Sequence, residues 1–310
     1  MEALNRMATD LVDEAIDFAE ELTLEVGQLE TEATVVDFGV GTPGGVEAGL
    51  MLAEIQTAGL ATVQSNLGEV AGTPRTHVEL STDYPGLALL GSQKAGWEVT
   101  TEDFEGLGSG PARALVAEEE EFGRLGYREE FDFAVLAIES DRLPDEAVAA
   151  QVAEMAGVPE SGVFLPAYAS ASITGSVNAA ARAAELATFR LSELGYDPLD
   201  ILSAHGRAPV APVAESEDAA MAATTDALAY GGRAHLTVES EFDRFDEVAS
   251  TAADTYGDPM ADVFESVDWE MTEIDTSVFA PAQVTIDVRG GSTYTVGETH
   301  EDLLAESFED

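Results

Sequence analysis

Strand-like and helix-like segments alternate through the middle third of the chain, and this alternation constrains the fold more than any other feature. Residues 131–139 and 163–169 are apolar runs typical of buried strands. Residues 144–156 and 175–194 have the length and apolar spacing of helices, and a further strand is expected at 201–204. Strands joined through helices favour parallel pairing, so this order predicts an α/β fold around a mainly parallel sheet.

The last third of the chain is richer in strands. Residues 233–239 form a β-rich run, and residues 282–288 and 292–296 flank a Gly290-Gly291 turn as the two arms of a hairpin would. A length of 310 residues is typical of about two domains.

We therefore expect two α/β domains that are not divided in simple chain order. One is predicted to comprise residues 97–209. The other is predicted to be discontinuous and to combine residues 1–96 with residues 210–310, the β-rich C-terminal part.

The charge balance indicates the environment in which this chain folds. Asp and Glu number 61 against 13 Lys and Arg, which gives a formal net charge of −48. Disordered acidic chains are poor in apolar residues, whereas 45% of this chain is hydrophobic and falls in regular blocks. In molar salt the Debye length falls to about 3 Å, so the self-repulsion of such a surface becomes tolerable. The composition therefore indicates a folded protein of a halophilic archaeon, and it disfavours binding to nucleic acid or to anionic membranes.

Several classes of chemistry and location are disfavoured by what the sequence lacks. The chain has no cysteine, which excludes disulfides, thiolate catalysis and cysteine zinc sites. Its four histidines lie far apart, and its acidic clusters suit a solvated surface, so we expect no metal site. It shows no apolar run long enough for a membrane span and no secretory signal pattern at its start, so a cytoplasmic location is expected.

A glycine-rich loop at residues 39–44 offers a first candidate site. Gly39, Gly41 and Gly44 fit the G-x-G-x-x-G pattern of dinucleotide-binding loops, after a strand and before a helix. The acidic residue expected about 20 positions later is absent, and Pro43 removes one backbone donor. The pattern leaves two alternatives, an NAD(P)-dependent oxidoreductase and a structural glycine turn.

A second loop runs into a helix at Gly108, Ser109 and Gly110. Pro111 suits the first position of a helix, and Arg113 follows within its first turn. Exposed backbone N–H groups at such a start could bind an anion, with the arginine beside them. An ordinary helix start explains the same residues equally well.

The most informative run is residues 169–190, a loop of small residues that passes Ser176 and enters an alanine-rich helix. Arg182 and Glu185 lie three residues apart on one face of this helix, among apolar neighbours. Such a pair on a surface contributes only a few tenths of a kcal/mol. Because cations are scarce in this chain and the loop admits a ligand close to the helix start, the pair is a candidate for catalysis as well as for a structural tie.

Seven short motifs occur together in an order that resembles one protein family. In chain order they are Gly-Gly-Val-Glu-Ala-Gly (44–49), Gln-Lys-Ala-Gly-Trp (93–97), Gly-Ser-Gly-Pro-Ala-Arg-Ala-Leu (108–115), Ala-Ser-Ile-Thr-Gly-Ser-Val (171–177), Ala-Pro-Val-Ala-Pro-Val-Ala (208–214), Tyr-Gly-Gly (230–232) and Phe-Ala-Pro-Ala (279–282). Over essentially its full length the chain resembles the archaeal methenyltetrahydromethanopterin cyclohydrolases, in a highly acidic, haloarchaeal-type form.

The resemblance implies an activity, an architecture and an assembly. This family reversibly hydrolyses the methenyl bridge of a tetrahydropterin one-carbon carrier to the 5-formyl derivative, without a metal or a redox cofactor. The resemblance implies two α/β domains with the ligand pocket between them, a homotrimer, and a structural role for the loop at residues 39–44. The family's catalytic arginine and glutamate fall on Arg182 and Glu185.

Other residues are expected to contact the carrier. We expect Arg113, Arg207 and Arg233 to meet its anionic groups, with residues 108–110 and Ser176 beside it. A halophilic composition leaves open whether the carrier is tetrahydromethanopterin or tetrahydrofolate. A non-catalytic pterin-binding protein also remains an alternative, although the presence of both Arg182 and Glu185 argues against it.

Overall fold

The computed structural model describes residues 3–269 and 274–309. The strands of this part of the chain are β1 (Glu25–Gln28), β2 (Thr34–Gly39), β3 (Thr62–Val70), β4 (Thr73–Thr82), β5 (Ala95–Thr100), β6 (Glu105–Ser109), β7 (Ala134–Val135), β8 (Ala137–Glu139), β9 (Val163–Tyr168), β10 (Ile201–Pro209), β11 (Arg233–Val238), β12 (Gln283–Val288) and β13 (Thr293–Gly297).

The helices alternate with these strands. The α-helices are α1 (Leu4–Asp17), α2 (Ala19–Leu22), α3 (Val46–Gln56), α4 (Arg113–Val116), α5 (Glu120–Leu125), α6 (Glu146–Ala156), α7 (Ile173–Ala180), α8 (Ala183–Glu193), α9 (Glu217–Gly231), α10 (Met260–Ser266) and α11 (Glu301–Ser307). A π-helix covers Gly86–Gln93. None of the helices in the described ranges is both long enough and apolar enough to cross a membrane.

The chain forms two compact units, and their boundaries differ from the expected ones. The first unit comprises Met1–Thr62 with Gly86–Asn178, and the second comprises Val63–Pro85 with Ala179–Asp310. The predicted domain of residues 97–209 therefore does not coincide with either unit. The reason is strand pairing, since β10 joins β4 and β11 in the second unit instead of following β9 into the first sheet.

The sheet of the first unit has the order β1-β2-β9-β8-β6-β5, with β7 also paired to β9. Its central strands β2, β9 and β8 are parallel, as the alternation of strands and helices predicts. Neighbouring residues of β2 enter different cores: Val36 packs with α1 and α3, whereas Val35 packs with α6. Both faces are therefore covered, which accounts for the continuous apolar run that predicts this part of the sheet.

The sheet of the second unit has the order β13-β12-β11-β10-β4-β3. It is mixed, because β10 is antiparallel to both β4 and β11, while β11 and β12 are parallel. The expectation that residues 201–204 continue a mainly parallel sheet is therefore wrong, because this strand lies in the mixed sheet of the second unit. Burial alternates strictly along β12, and α8 packs on β10 and β11, so one face is covered and the other is left open. The expected C-terminal hairpin is present as β12 and β13.

Candidate active site

The helix expected at 175–194 is two helices, and the break between them forms the candidate site. The first, α7, ends at Ala180, and Arg182 takes the position before α8 with φ −92° and ψ −2°. Glu185 then falls in the first turn of α8. A carboxylate in a first turn interacts favourably with the helix dipole, so the break places Glu185 at a position of α8 that suits an acidic side chain.

Arg182 and Glu185 form a close, largely buried ion pair. Nε and Nη2 of Arg182 each lie 3.0 Å from Oε2 of Glu185. The carboxylate side chain is 2% exposed, whereas the guanidinium side chain is 16% exposed. Burying such a pair costs desolvation that its attraction only partly recovers, so its presence is weak evidence for a stabilising role. Within this ion pair the carboxylate of Glu185 is shielded from solvent, whereas the guanidinium of Arg182 is partly accessible.

Gly206 fixes the distance between this pair and the sheet. A Cβ atom at residue 206 would lie 2.3 Å from the backbone nitrogen of Ala184, which stands between Arg182 and Glu185 in the chain. The backbone of Gly206 is not in the left-handed region, so a glycine is needed there for space and not for its conformation. Strand β10 therefore supports the first turn of α8 directly. Sequence reasoning missed this residue, because only the packing of α8 on β10 gives it a role.

Unpartnered polar atoms lie near the pair in the chain. Within the described ranges, Ser176 Oγ, Asn178 Oδ1 and Thr188 Oγ1 are buried and have no hydrogen-bond partner. Leaving a buried polar group unsatisfied costs about 1–3 kcal/mol, so such atoms mark places that water or a ligand fills. Ser176 was expected near the ligand, and that expectation stays a prediction. The other two residues, Asn178 and Thr188, belong to none of the motifs found in the sequence.

Arg113 has a structural environment. Its side chain is fully buried, and its guanidinium donates to the backbone carbonyls of Ser92 and Lys94 and to the carboxylate of Glu119. Burial raises the pKa of Glu119, but hydrogen bonds and attraction from Arg113 and Lys94 together outweigh burial and leave this pKa below its ordinary value. These contacts occupy the guanidinium inside the first unit, so it has no free face for an anionic group of a carrier.

The loop before Arg113 is equally enclosed. Residues 108–115 are all buried, the N–H of Gly110 donates to the carbonyl of Ser92, and Ser109 Oγ accepts from Gln56. Helix α4 has only four residues, too few for a strong dipole. The arrangement explains the glycines as close packing, and a contact of Gly108, Ser109 or Gly110 with a ligand stays a prediction.

The loop at residues 39–44 is filled by the chain itself. The carboxylate of Asp37 accepts hydrogen bonds from four backbone N–H groups, those of Gly39, Val40, Gly41 and Thr42, at 2.7–3.2 Å. A dinucleotide pyrophosphate needs such amides for itself. The geometry therefore supports the structural glycine turn and removes the basis of the NAD(P)-dependent alternative. Asp37 precedes the motif, and only the fold shows that it points back into the loop.

Arg207 and Arg233 face each other across β10 and β11. Because Gly206 faces α8, the alternation of side chains places Arg207 on the opposite, open face of the sheet. The second sheet thus separates these two arginines from Glu185. The expectation that both arginines contact anionic groups of the carrier stays a prediction, and it requires a part of the carrier to lie on the face opposite Glu185.

The open face also carries a small cavity. Its volume is about 150 Å³, and Glu69, His77, Arg207, Arg233 and Glu301 line it. Burial lowers the pKa of His77, and the charges of Arg207 and Arg233 lower it further.

In the described ranges, no group of three histidine, aspartate or glutamate side chains is arranged to hold a metal ion.

Comparison with known proteins matches the chain to one family over nearly its whole length. The family model described as "Cyclohydrolase (MCH)" matches residues 3–308. The chain is 57% identical over 308 residues to the methenyltetrahydromethanopterin cyclohydrolase of Halobacterium salinarum, with 99% of each chain covered. It is 37% identical to the proteins of the same name from Methanoculleus marisnigri and Methanothermobacter marburgensis, again with 99% of each chain covered. The chain therefore belongs to the methenyltetrahydromethanopterin cyclohydrolase family.

Proposed function

We propose that this protein hydrolyses the methenyl bridge of 5,10-methenyltetrahydromethanopterin to the 5-formyl derivative, reversibly. The observation that carries the proposal is the buried ion pair of Arg182 and Glu185 at the break before α8. Relatives from a halophile and from methanogens share one name and therefore one carrier, which favours tetrahydromethanopterin over tetrahydrofolate.

The substrate explains why a carboxylate is needed. The bridging carbon lies between two nitrogens and shares their positive charge, so it attracts both water and a nearby anion. A base for this water must lie within hydrogen-bond reach and must be ionised. Glu185 fits this role, because it is an anion held in place by an arginine and shielded from bulk water. Positioned acid–base catalysis of this kind contributes roughly a hundred- to ten-thousand-fold.

Arg182 has a different role. A guanidinium does not release a proton in a protein, so Arg182 cannot be the acid. Its Nε and Nη2 hold Oε2 of Glu185, which orients the carboxylate and balances its charge. Its partly exposed side chain can also donate a hydrogen bond to the attacking oxygen, which gains partial negative charge while Glu185 removes its proton.

The proton balance follows from these roles. Water forms a bond to the bridging carbon while Glu185 takes one of its protons, which gives a neutral tetrahedral intermediate. Glu185 then returns that proton to the departing nitrogen as the carbon–nitrogen bond breaks. The remaining hydroxyl proton leaves to solvent as the formyl carbonyl forms, so one positive charge of the substrate ends as one released proton.

Replacement of the base tests the proposal. Glu185→Gln keeps the shape of the side chain but removes the base, so we expect turnover to fall roughly tenfold or more while substrate binding is kept. The assay follows the loss of the methenyl absorbance in molar KCl, with the tetrahydromethanopterin and the tetrahydrofolate substrates compared.

The same helix offers a matched control. Glu193 pairs with Arg190 at the same spacing, but both side chains are more exposed than Glu185. Glu193→Gln should leave turnover unchanged. Near-normal turnover by Glu185→Gln would refute the assigned base, and wild-type protein inactive on both carriers would refute the proposed function.

Assembly, cofactor use and location belong to the same proposal. We expect a homotrimer of a protein in the cytoplasm, active without a metal or redox cofactor and without nucleic acid. The net charge of −48 supports the absence of nucleic acid. Light scattering coupled to gel filtration in molar KCl measures the assembly, and activity after chelation and exhaustive dialysis tests the cofactor expectation.

A further inference from the structure

The pair of arginines on the open face of the second sheet is costly without a ligand. Arg207 and Arg233 occupy directly opposite positions of antiparallel strands, where like charges destabilise a sheet. The chain has only 13 lysines and arginines in total, so placing two together is unusual for its composition.

Neither arginine is tightly neutralised by the carboxylates around it. Arg207 Nε lies 3.6 Å from Glu79, and Arg233 Nη2 lies 3.8 Å from Glu301. Nη2 of Arg207 donates to the neutral amide oxygen of Asn66 at 3.0 Å. Its Nε is buried, and no described residue accepts its N–H group. The guanidinium of Arg207 therefore keeps an unmet donor next to a cavity.

Gly68 makes room for the charged groups to converge. A Cβ atom at residue 68 would lie 2.5 Å from Nη2 of Arg207 and 2.5 Å from Nδ1 of His77. Because the backbone of Gly68 is not in the left-handed region, a glycine is needed there for space and not for its conformation. His77 Nδ1 donates to the carbonyl of Arg75 at 3.1 Å, which fixes the imidazole ring in this position.

The size of the cavity limits what can occupy it. The cavity has a volume of about 150 Å³. Pockets for larger ligands measure roughly 300–1,000 Å³, so a whole pterin does not fit. A small ion with several oxygens fits, because its separate oxygens can accept from both guanidinium groups at once. The carboxylates of Glu69 and Glu301 also line the cavity and compete with a bound anion for the arginines. The ion must therefore contact both arginines at once.

We propose that Arg207 and Arg233 form a binding site for a phosphate-type oxyanion on the face of the sheet opposite Glu185, with the ring of His77 as one wall of the cavity. The oxyanion is either free phosphate or the phosphate group of a larger molecule whose remainder lies outside the cavity. The proposal does not depend on the reaction assigned to Glu185.

Phosphorus NMR of the intact protein in KCl tests the site. Inorganic phosphate should show line broadening that saturates with protein concentration. Arg233→Gln should weaken this binding roughly tenfold or more, because it removes a charge-assisted hydrogen bond to the oxyanion. Arg289→Gln removes a more exposed arginine of the same unit and should leave the binding unchanged.

A second variant guards against a purely structural effect of losing an arginine. Gly68→Ala keeps both arginines and fills the space between Arg207 and His77, so it should also abolish the broadening. Absence of saturable broadening in the wild type, or equal broadening in Arg233→Gln and Arg289→Gln, would overturn the proposal.

Turnover measurements on Arg233→Gln identify the source of the oxyanion once binding is established. A raised KM with unchanged kcat, together with competition between phosphate and substrate, assigns the site to a phosphate group of the substrate. Unchanged KM and kcat assign it to a phosphate that is independent of the reaction.

Discussion

The two sheets of this protein bury their strands in opposite ways. The first sheet is covered on both faces, with α1 and α3 on one side and α6 on the other. The second has α8 on one face and polar side chains on its open face. Residues in the first sheet are therefore selected for packing on both sides. In the second sheet, one face supports the ion pair of Arg182 and Glu185, and the other is free to carry charge.

The largest effect is expected from a cavity in the doubly covered sheet. Leu165 lies on the central strand β9, is fully buried and packs with α6 residues. Leu165→Ala should lower the free energy of unfolding by about 2–5 kcal/mol, because both the lost burial and the remaining cavity destabilise the fold. Denaturation in molar KCl measures this loss. A cost below that of an exposed substitution would contradict the double coverage.

A smaller loss of stability, but a clear loss of activity, is expected at the covered face of the second sheet. Gly206→Ala pushes a methyl group against the backbone of Ala184. Overpacking of this kind costs roughly 1–3 kcal/mol. Because the displaced turn carries Arg182 and Glu185, we expect kcat to fall roughly tenfold, as displacements of about 1 Å can cost more than this.

A matched glycine distinguishes this displacement from a general intolerance of strand glycines. Gly27 lies in β1, and a Cβ atom there would meet only a backbone oxygen at 3.9 Å. Gly27→Ala should leave kcat unchanged. Equal kinetics for the two alanine variants would show that Gly206 does not position α8.

An intermediate effect that depends on pH is expected beside the second sheet, where α9, α10 and α11 pack together. Asp226 on α9 accepts from the N–H of Met260 and from the hydroxyl of Ser307, and burial raises its pKa to about 6. The folded protein thus holds this proton more tightly than the unfolded chain, whose carboxyl has a pKa near 3.8. The resulting stability is present below pH 3.8 and is lost as pH rises through about 6.

The variant Asp226→Asn isolates this contribution from that of the many other carboxylates. On lowering the pH from about 7.5 to about 5, the wild type should gain roughly 1 kcal/mol relative to the variant. Melting temperatures of both proteins at fixed KCl provide the measurement. Parallel curves would show that Asp226 titrates normally.

The smallest effect is expected on the open face. Thr285 lies on β12 with only a long contact, 3.5 Å, to the hydroxyl of Thr295. Thr285→Ala should change the free energy of unfolding by less than about 0.5 kcal/mol, which is typical of surface positions. A loss as large as that of Leu165→Ala would show that something covers this face in solution.

The same contrast explains how much could be predicted from the sequence. The apolar runs of the first sheet predict β8 and β9, because a strand covered on both faces needs apolar residues at successive positions. The helix between these runs predicts their parallel pairing. The run at 201–204 also predicts a strand, but not its sheet. Its antiparallel partners lie about 120 residues before it and about 30 residues after it, and local pattern contains no information on such pairing.

The site shows a similar limit. Scarcity of cations and the spacing of two residues made Arg182 and Glu185 a candidate pair, but only the family resemblance assigned them to catalysis, and that assignment stays a prediction. The same reasoning placed Arg113, Arg207 and Arg233 together, although one is buried in the first unit and two lie across the second sheet from Glu185. Scarcity indicates that an arginine has a role, but only the fold separates a structural role from a binding one.

The carboxylate of Asp37 has one further consequence for a protein of high salt. Converging backbone amides bind anions, and molar chloride would compete for them in any open loop. Asp37 is tethered within five residues of every amide it binds, so it acts at a high effective concentration that dissolved chloride does not displace. The glycine-rich loop is therefore insulated from the ionic composition of its surroundings, and its shape should be the same in dilute and in saturated salt.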